Sequence, residues 1–206
     1  PLQTSAPVSV LSPIVAETEP TVIAASIDFL DDALTVIEAG PAPARLVIFD
    51  VHDGDDDHRD AVAAATVRLS GTGVTVQQLA DLVATGMDSV APHNFPQDPD
   101  DLALLIYTSG STGAPKGAIY PSKKVADHWR VATAAHWNEQ HGLLPSIVLS
   151  FLPMSHVMGR GILFGALSTG GTAYFAARPD LSTLIEDLSL VRPTQLNFVP
   201  RIWDML

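Results

Sequence analysis

Eleven consecutive residues, Tyr107-Thr-Ser-Gly-Ser-Thr-Gly-Ala-Pro-Lys-Gly117, bring four aliphatic hydroxyls, three glycines and one lysine together. Such a run suits a polyphosphate. Gly110 and Gly113 let the backbone bend so that its N–H groups can face an anion. Thr108, Ser109, Ser111 and Thr112 add O–H donors, and Lys116 puts a positive charge at the end of the loop. The pattern is not a Walker A loop, which needs Gly-Lys-Ser/Thr, because Lys116 is preceded by Pro115 and followed by Gly117. It is not a G-x-S-x-G esterase elbow either, because Ser111 directly follows Gly110. A generic Ser/Gly loop standing alone reads as a polar surface turn. Eleven specified residues behind a hydrophobic strand are much harder to dismiss.

His156 is the second candidate. Taken alone, a histidine between a strand and a helix reads as a structural residue whose ring caps backbone groups. Its neighbour Ser155 reads as a helix cap rather than a nucleophile, because no Asp or Glu lies close by in sequence to orient His156. Phe151, Met154 and Met158 read either as core or as the lining of an acyl pocket. His128 and His136, eight residues apart, lack a third ligand, so no metal-binding residues are assigned. Lys123, Lys124 and Arg130 near Trp129 and Trp137 form too sparse a basic face for nucleic acid.

The elements that must position these residues alternate between strands and helices. Residues 21–25 and 45–50 are short apolar runs bounded by turn residues, and 31–39 between them is helical. That is a βαβ unit, so the expected fold class is α/β with mostly parallel sheets flanked by helices. Residues 58–69 and 75–85 read as helices, and 92–101, rich in Pro, Asp and Asn, as a lobe crossover near 91–101. Residues 101–107 read as a buried strand, 108–117 as a turn, and 122–137 as a helix with Ser122 as N-cap. Then follow a strand at 146–152, a helix at 156–167, a strand at 172–176, a helix at 181–190 stopped by Arg192-Pro193, and a strand at 195–199.

Composition narrows the function classes. Of 206 residues, 47 % are hydrophobic and 17 % charged, a balance that supports a packed core. The formal charge of −12 disfavours nucleic acid and anionic membrane surfaces as partners. The absence of cysteine excludes disulfides and thiolate chemistry within the chain and fits a cytoplasmic location. Six of the acids are Asp residues between 50 and 60, with His52 and His58 among them. Their spacing does not reproduce an EF-hand, and the run reads as a solvated loop. The charge-free window 140–159 carries Pro145 and Pro153 and is too short in its apolar part to span a membrane. The chain opens at Pro1 without a starting Met or a signal segment and stops one turn into an expected helix, so it reads as the interior of a longer protein.

The run from Tyr107 to Gly117 resembles the phosphate-binding signature of the adenylate-forming superfamily: acyl-CoA synthetases, peptide-synthetase adenylation domains and luciferases. Leu152-Pro-Met-Ser-His156-Val-Met-Gly159 resembles the next motif of that superfamily at about the expected separation. The stretches 155–161, 171–178 and 190–206 look most like the adenylation domain of carboxylic acid reductases. The resemblance covers essentially the whole chain, so residues 1–206 read as a partial adenylation domain belonging to the large N-terminal subdomain.

The resemblance implies an enzyme in which a carboxylate attacks the α-phosphorus of ATP, giving acyl-AMP and pyrophosphate. Thr108, Ser109, Gly110, Ser111, Thr112 and Gly113 would cradle the phosphates, with Lys116 countering the leaving pyrophosphate. His156 would border the acyl pocket and adenylate and orient the carboxylate or α-phosphate. Lys116 and His156 are therefore the expected catalytic pair. Arg160 and Arg178 are left between an anion or carrier-protein contact and ordinary salt bridges. Mg²⁺ is implied without an assigned ligand. In the parent a phosphopantetheine carrier in cis and an NADPH-dependent reductase domain would follow, converting the acyl thioester to an aldehyde. The resemblance also puts the adenine, ribose and catalytic-lysine motifs beyond Leu206, so the 206-residue chain alone is expected to be inactive. Two alternatives stand beside this reading: a non-reducing acyl-CoA or acyl-carrier ligase, and a non-catalytic nucleotide-binding module.

Overall fold

The computed structural model describes residues 1–90, 98–109, 114–135, 137–138, 142–143, 145–178 and 180–198, with the side chains of 109 and 129–143 left aside. The chain divides into two compact units, one built on residues 2–90 and the other on 98–109 and 116–198.

In the first unit, three parallel strands run in the order β1 (Val22–Ser26), β2 (Arg45–Phe49), β3 (Thr75–Gln78). Around them lie helices α1 (Val8–Thr18), α2 (Leu30–Glu38), α3 (Asp56–Arg68) and α4 (Leu79–Met87). The period-2 geometry of β2 sends Leu46 and Ile48 to one face, where both are fully buried. There they meet Leu30, Leu34 and Ile37 of α2 and Ala65 of α3. Leu11 and Val15 of α1 pack on Val36 of α2. Arg68 of α3 reaches back to α2, giving Glu38 two bonds of 2.7 and 2.8 Å and Asp31 one of 2.7 Å.

The βαβ expectation for 21–50 holds, and three local readings in this unit change. Residues 75–85 are not one helix. Thr75–Gln78 is extended, because pairing with Arg45–Ile48 satisfies the backbone groups of the β2 edge, and the helix starts only at Leu79. The acidic run is not all loop: Asp55 caps α3, accepting from the amides of Asp57 at 3.0 Å and His58 at 3.4 Å. Asp56 and Asp57 fill the first turn, where carboxylates complement the helix dipole. Helix α1 had no counterpart in the sequence reading; Pro13 inside it masks the spacing of Leu11, Ile14 and Val15, its buried residues.

The second unit starts with β4 (Leu102–Ser109) and β5 (Pro115–Pro121), which pair with each other. Asp101, just before β4, accepts from the Ser122 amide at 2.9 Å. Near the other end Tyr107 lies against Gly117, so the chain runs out along β4 and back along β5. Helix α5 (Ser122–Ala135) and the short pair β6 (Trp137–Asn138) and β7 (Gly142–Leu143) follow. A second parallel βαβ unit comprises β8 (Ile147–Ser150), α6 (Val157–Ser168) and β9 (Thr172–Phe175), with α7 (Leu184–Val191) packing on β8 through Leu184 and Leu149.

α6 ends in a Schellman motif. Gly170, at φ +73°, donates to Leu167, and Gly171 donates to Ala166 at 2.9 Å. A Cβ on Gly171 would stand 2.2 Å from the Ser146 carbonyl oxygen, so only glycine lets the chain turn this tightly into β9. The described residues 195–198 form no strand, contrary to the reading of 195–199. Both the Thr194 and Gln195 amides converge on one acceptor, the Ile147 carbonyl, instead of stepping along the β8 edge. The reading of 92–101 as a crossover falls largely on residues outside those described. Among the described residues no helix is long and apolar enough to cross a membrane.

Candidate functional site

The described ends of the glycine- and hydroxyl-rich run are strands, where a turn over 108–117 was expected. Thr108 and Ser109 finish β4, while Pro115, Lys116 and Gly117 begin β5, so the strands themselves carry both ends. The sequence reading missed β5 because Ala118-Ile119-Tyr120 was too short to stand out beside the loop; Gly117 and Pro121 bracketing it were the available signal. Thr108 and Lys116 are exposed. Lys116 forms no ion pair among the described residues. Gly110, Ser111, Thr112 and Gly113 lie outside the described residues, as does the side chain of Ser109.

Ser122 does not cap α5. It is already the first helical residue, and its hydroxyl donates to the Asp101 carbonyl at 3.3 Å. Lys123 pairs with Asp100 and its amide bonds to Pro99, so the helix is tied to the foot of β4 from two sides. This takes Lys123 out of any basic face. Arg130, Trp129 and Trp137 have side chains outside those described, and His136 lies outside the described residues.

His156 is the N-cap residue of α6, displacing Ser155 from that expected role. Its backbone is extended at φ −103° and ψ 149°, its amide donates to Pro153 at 3.0 Å, and its imidazole is exposed and makes no capping bond. A ring kept out of the cap is available to a ligand. Ser155 Oγ is instead buried without a hydrogen-bond partner among the described residues.

Cavities bordered by described residues of this unit include the following three. One of about 380 Å³ sits between the β4–β5 pair and helices α5 and α6, with Ile106, Tyr120, Lys124, His128, Arg160 and Phe164 on its wall. A second, of about 350 Å³, is bordered by Met158, Ile162 and Asn197. A third, of about 230 Å³, is bordered by Phe151, Met154 and Arg178. Of the three residues read either as core or as an acyl-pocket lining, Phe151 and Met154 thus share one of these cavities while Met158 borders another. The turn before α6 puts Met154 beside β8 and β9, while Met158 rides on the helix and faces a different hollow. Neither Lys116 nor His156 is part of these three walls.

Arg160 makes no salt bridge among the described residues. Its Nε donates to the Met154 carbonyl at 2.6 Å, and Nη2 is buried without a partner. Burial pulls its pKa below the ordinary arginine value, because desolvation penalises the charged form. In the first unit the stacked His52 and His58 rings do not make a metal cage: His58 Nδ1 accepts from the His52 amide at 3.2 Å. Among the described residues no three His, Cys, Asp or Glu side chains gather to hold a metal ion.

Residues 1–206 match the family described as AMP-binding enzyme over their whole length. The chain belongs to the AMP-binding enzymes. This AMP-binding enzyme is 60 % identical over 206 residues to the carboxylic acid reductase of Mycobacterium tuberculosis, covering all of the chain and 17 % of that relative. It is similar to the A domain of carboxylic acid reductase from Segniliparus rugosus, a structure in complex with AMP and a co-purified carboxylic acid. The TM-score is 0.85 and the identity 44 %, over 100 % of the chain and 33 % of that structure. Against the A-PCP didomain from the same organism, in complex with AMP, the TM-score is 0.86 and the identity 46 %, over 100 % of the chain and 29 % of that structure. The α/β fold, with its parallel sheets and flanking helices, is thus part of an adenylate-forming domain. The chain spans under a fifth of the length of the first curated relatives it matches, 17 % and 18 % for the first two.

Proposed function

We propose that this chain belongs to an enzyme that activates a carboxylic acid with ATP. The carboxylate oxygen attacks the α-phosphorus, the bond from that phosphorus to the bridging oxygen breaks, and acyl-AMP and pyrophosphate result. In the parent the acyl group would pass to a phosphopantetheine carrier in cis, with release of AMP, and NADPH would reduce the thioester to an aldehyde. The observation that carries this reading is the full-length likeness to the A domain holding AMP and a carboxylic acid.

The charge to be managed sits on phosphate oxygens, so the protein's contribution is positioning and electrostatics. Thr108 and Ser109 at the end of β4 and Lys116 at the start of β5 bracket residues 110–113, which would cradle the phosphates. Lys116, exposed and without an ion pair among the described residues, would hold the leaving pyrophosphate. His156, with its ring free of the α6 cap, would hydrogen-bond the carboxylate or α-phosphate. Mg²⁺ would neutralise phosphate charge when bound. The described residues offer it no cluster of ligands.

The test is carboxylate-dependent ATP–pyrophosphate exchange by the intact parent, followed by product analysis with ATP, NADPH and a panel of acids. Exchange with aldehyde formation is expected. Exchange yielding only acyl-CoA or acyl-carrier product would identify a non-reducing ligase, and ATP binding without exchange a non-catalytic module.

A further inference from the structure

The turn between β8 and α6 is built to lie flat on the helix it precedes. A Cβ at Gly159 would stand 2.5 Å from the Pro153 carbonyl oxygen and 2.8 Å from that of Leu152. Real side chains do not tolerate such distances, so glycine alone allows 152–153 to cross the first turn of α6 at this height. The His156 amide closes the turn on Pro153 at 3.0 Å, and the Arg160 amide continues the helix from the His156 carbonyl at 3.4 Å. Between these bonds sits the Met154 carbonyl, which receives Arg160 Nε at 2.6 Å. A charge-assisted N–H···O=C bond is among the stronger kinds. The guanidinium is partly buried, with no carboxylate on it and Nη2 without a partner among the described residues. No salt bridge among the described residues accounts for keeping an arginine here.

We propose that Arg160 is a positioning residue: its Nε–H bond to Met154 latches the 152–156 turn onto α6 and fixes the backbone that carries His156. This rests on the reading of His156 as a site residue. The arginine contacts no reacting group in this role. Its long side chain spans from one helical turn back to a carbonyl six residues earlier, and its Nε donates along a direction set by the planar fork.

Met at 160 keeps the length and removes the donor; Lys keeps a donor. In the intact parent, R160M is expected to lower kcat for exchange by about 10- to 100-fold, the range for displacing a reacting group by up to about 1 Å, with KM for ATP and acid changed by less than about two-fold. R160K should recover part of kcat. In an H156A background R160M should have no further effect, since both changes remove one action. Amide exchange at His156 should speed at least about ten-fold in R160M while β8 and β9 keep their protection. Additive losses in the double variant, a raised KM for acid at unchanged kcat, or protection lost throughout the unit would each overturn the latch. If R160M does not fold, R160K carries the same comparison of His156 exchange and kcat. Unchanged His156 exchange with an inactive H156A would overturn the latch alone. H156A at the wild-type rate would overturn the reading of His156 and the positioning role with it.

Discussion

Gly117 lies against the ring of Tyr107: a Cβ on Gly117 would stand 2.9 Å from Cζ and 3.2 Å from the phenolic oxygen. The contact stacks the residue next to Lys116 onto the strand that ends in Thr108 and Ser109. In G117A the obstacle is the far end of a side chain, which can swing. The substitution should cost about 0.5–1.5 kcal/mol, the range for an off-rotamer side chain. Chemical denaturation checks this, and a larger loss would mean the ring has no room to move.

Gly159 is the contrasting case, because its obstacles are the backbone oxygens of Leu152 and Pro153. These cannot move without shifting the turn. G159A should destabilise by about 1–3 kcal/mol, as overpacking does, and should also lower exchange activity by displacing His156. Stability equal to wild type in a melt would contradict the close approach.

In the core of the first unit, Leu46 and Ile48 are both 0 % exposed, whereas Val67 on α3 is 72 % exposed. L46A and I48A should each cost about 2–5 kcal/mol. V67A should stay within about 0.5 kcal/mol of wild type. Equal effects for buried and exposed sites in urea titrations would mean the β2 face is not the core.

Arg68 hydrogen-bonds Glu38 and so holds its carboxyl below the ordinary glutamate range. A depressed carboxylate pKa stabilises the folded state above the unfolded pKa and loses that contribution as pH falls through the folded value. R68M should therefore lower the Tm at neutral pH, and the difference should shrink once the pH drops below the ordinary glutamate range. All partners are exposed, so the effect is small. A difference that grows on acidification would refute the linkage.

Lys116 should act on the transition state more than on ground-state binding, because pyrophosphate gains charge as it leaves. K116A in the intact parent should lower kcat for exchange by about 100-fold or more, with a smaller change in the KM for ATP. A pure KM effect would make Lys116 a binding residue only.

Much of this architecture could be read from periodicity, and the reasons for the exceptions are physical. The runs at 46–49 and 147–149 are recognisable because strands buried on both faces are continuously apolar. Thr75–Gln78 was not, because an edge strand whose backbone needs satisfy a neighbour can be polar itself. The phosphate-loop candidates stood out through an unusual density of hydroxyls and glycines, and His156 through its motif. Arg160 was legible only as a cation, left between an anion or carrier-protein contact and a salt bridge. Its partner is a backbone carbonyl, and a backbone acceptor leaves no trace in a sequence. Gly159 and Gly171 were visible as letters, but the carbonyls that exclude a side chain at each come from other segments.

The first sheet has its strands in the order of synthesis, β1 then β2 then β3. On a ribosome each new strand emerges to find the edge of its predecessor already formed, with α2 available to cover it. Each strand after β1 pairs on emergence with the strand made just before it, so neither β2 nor β3 must wait for a later strand. This half of the chain can therefore assemble vectorially, which shortens the exposure of apolar Leu46 and Ile48 to other nascent chains.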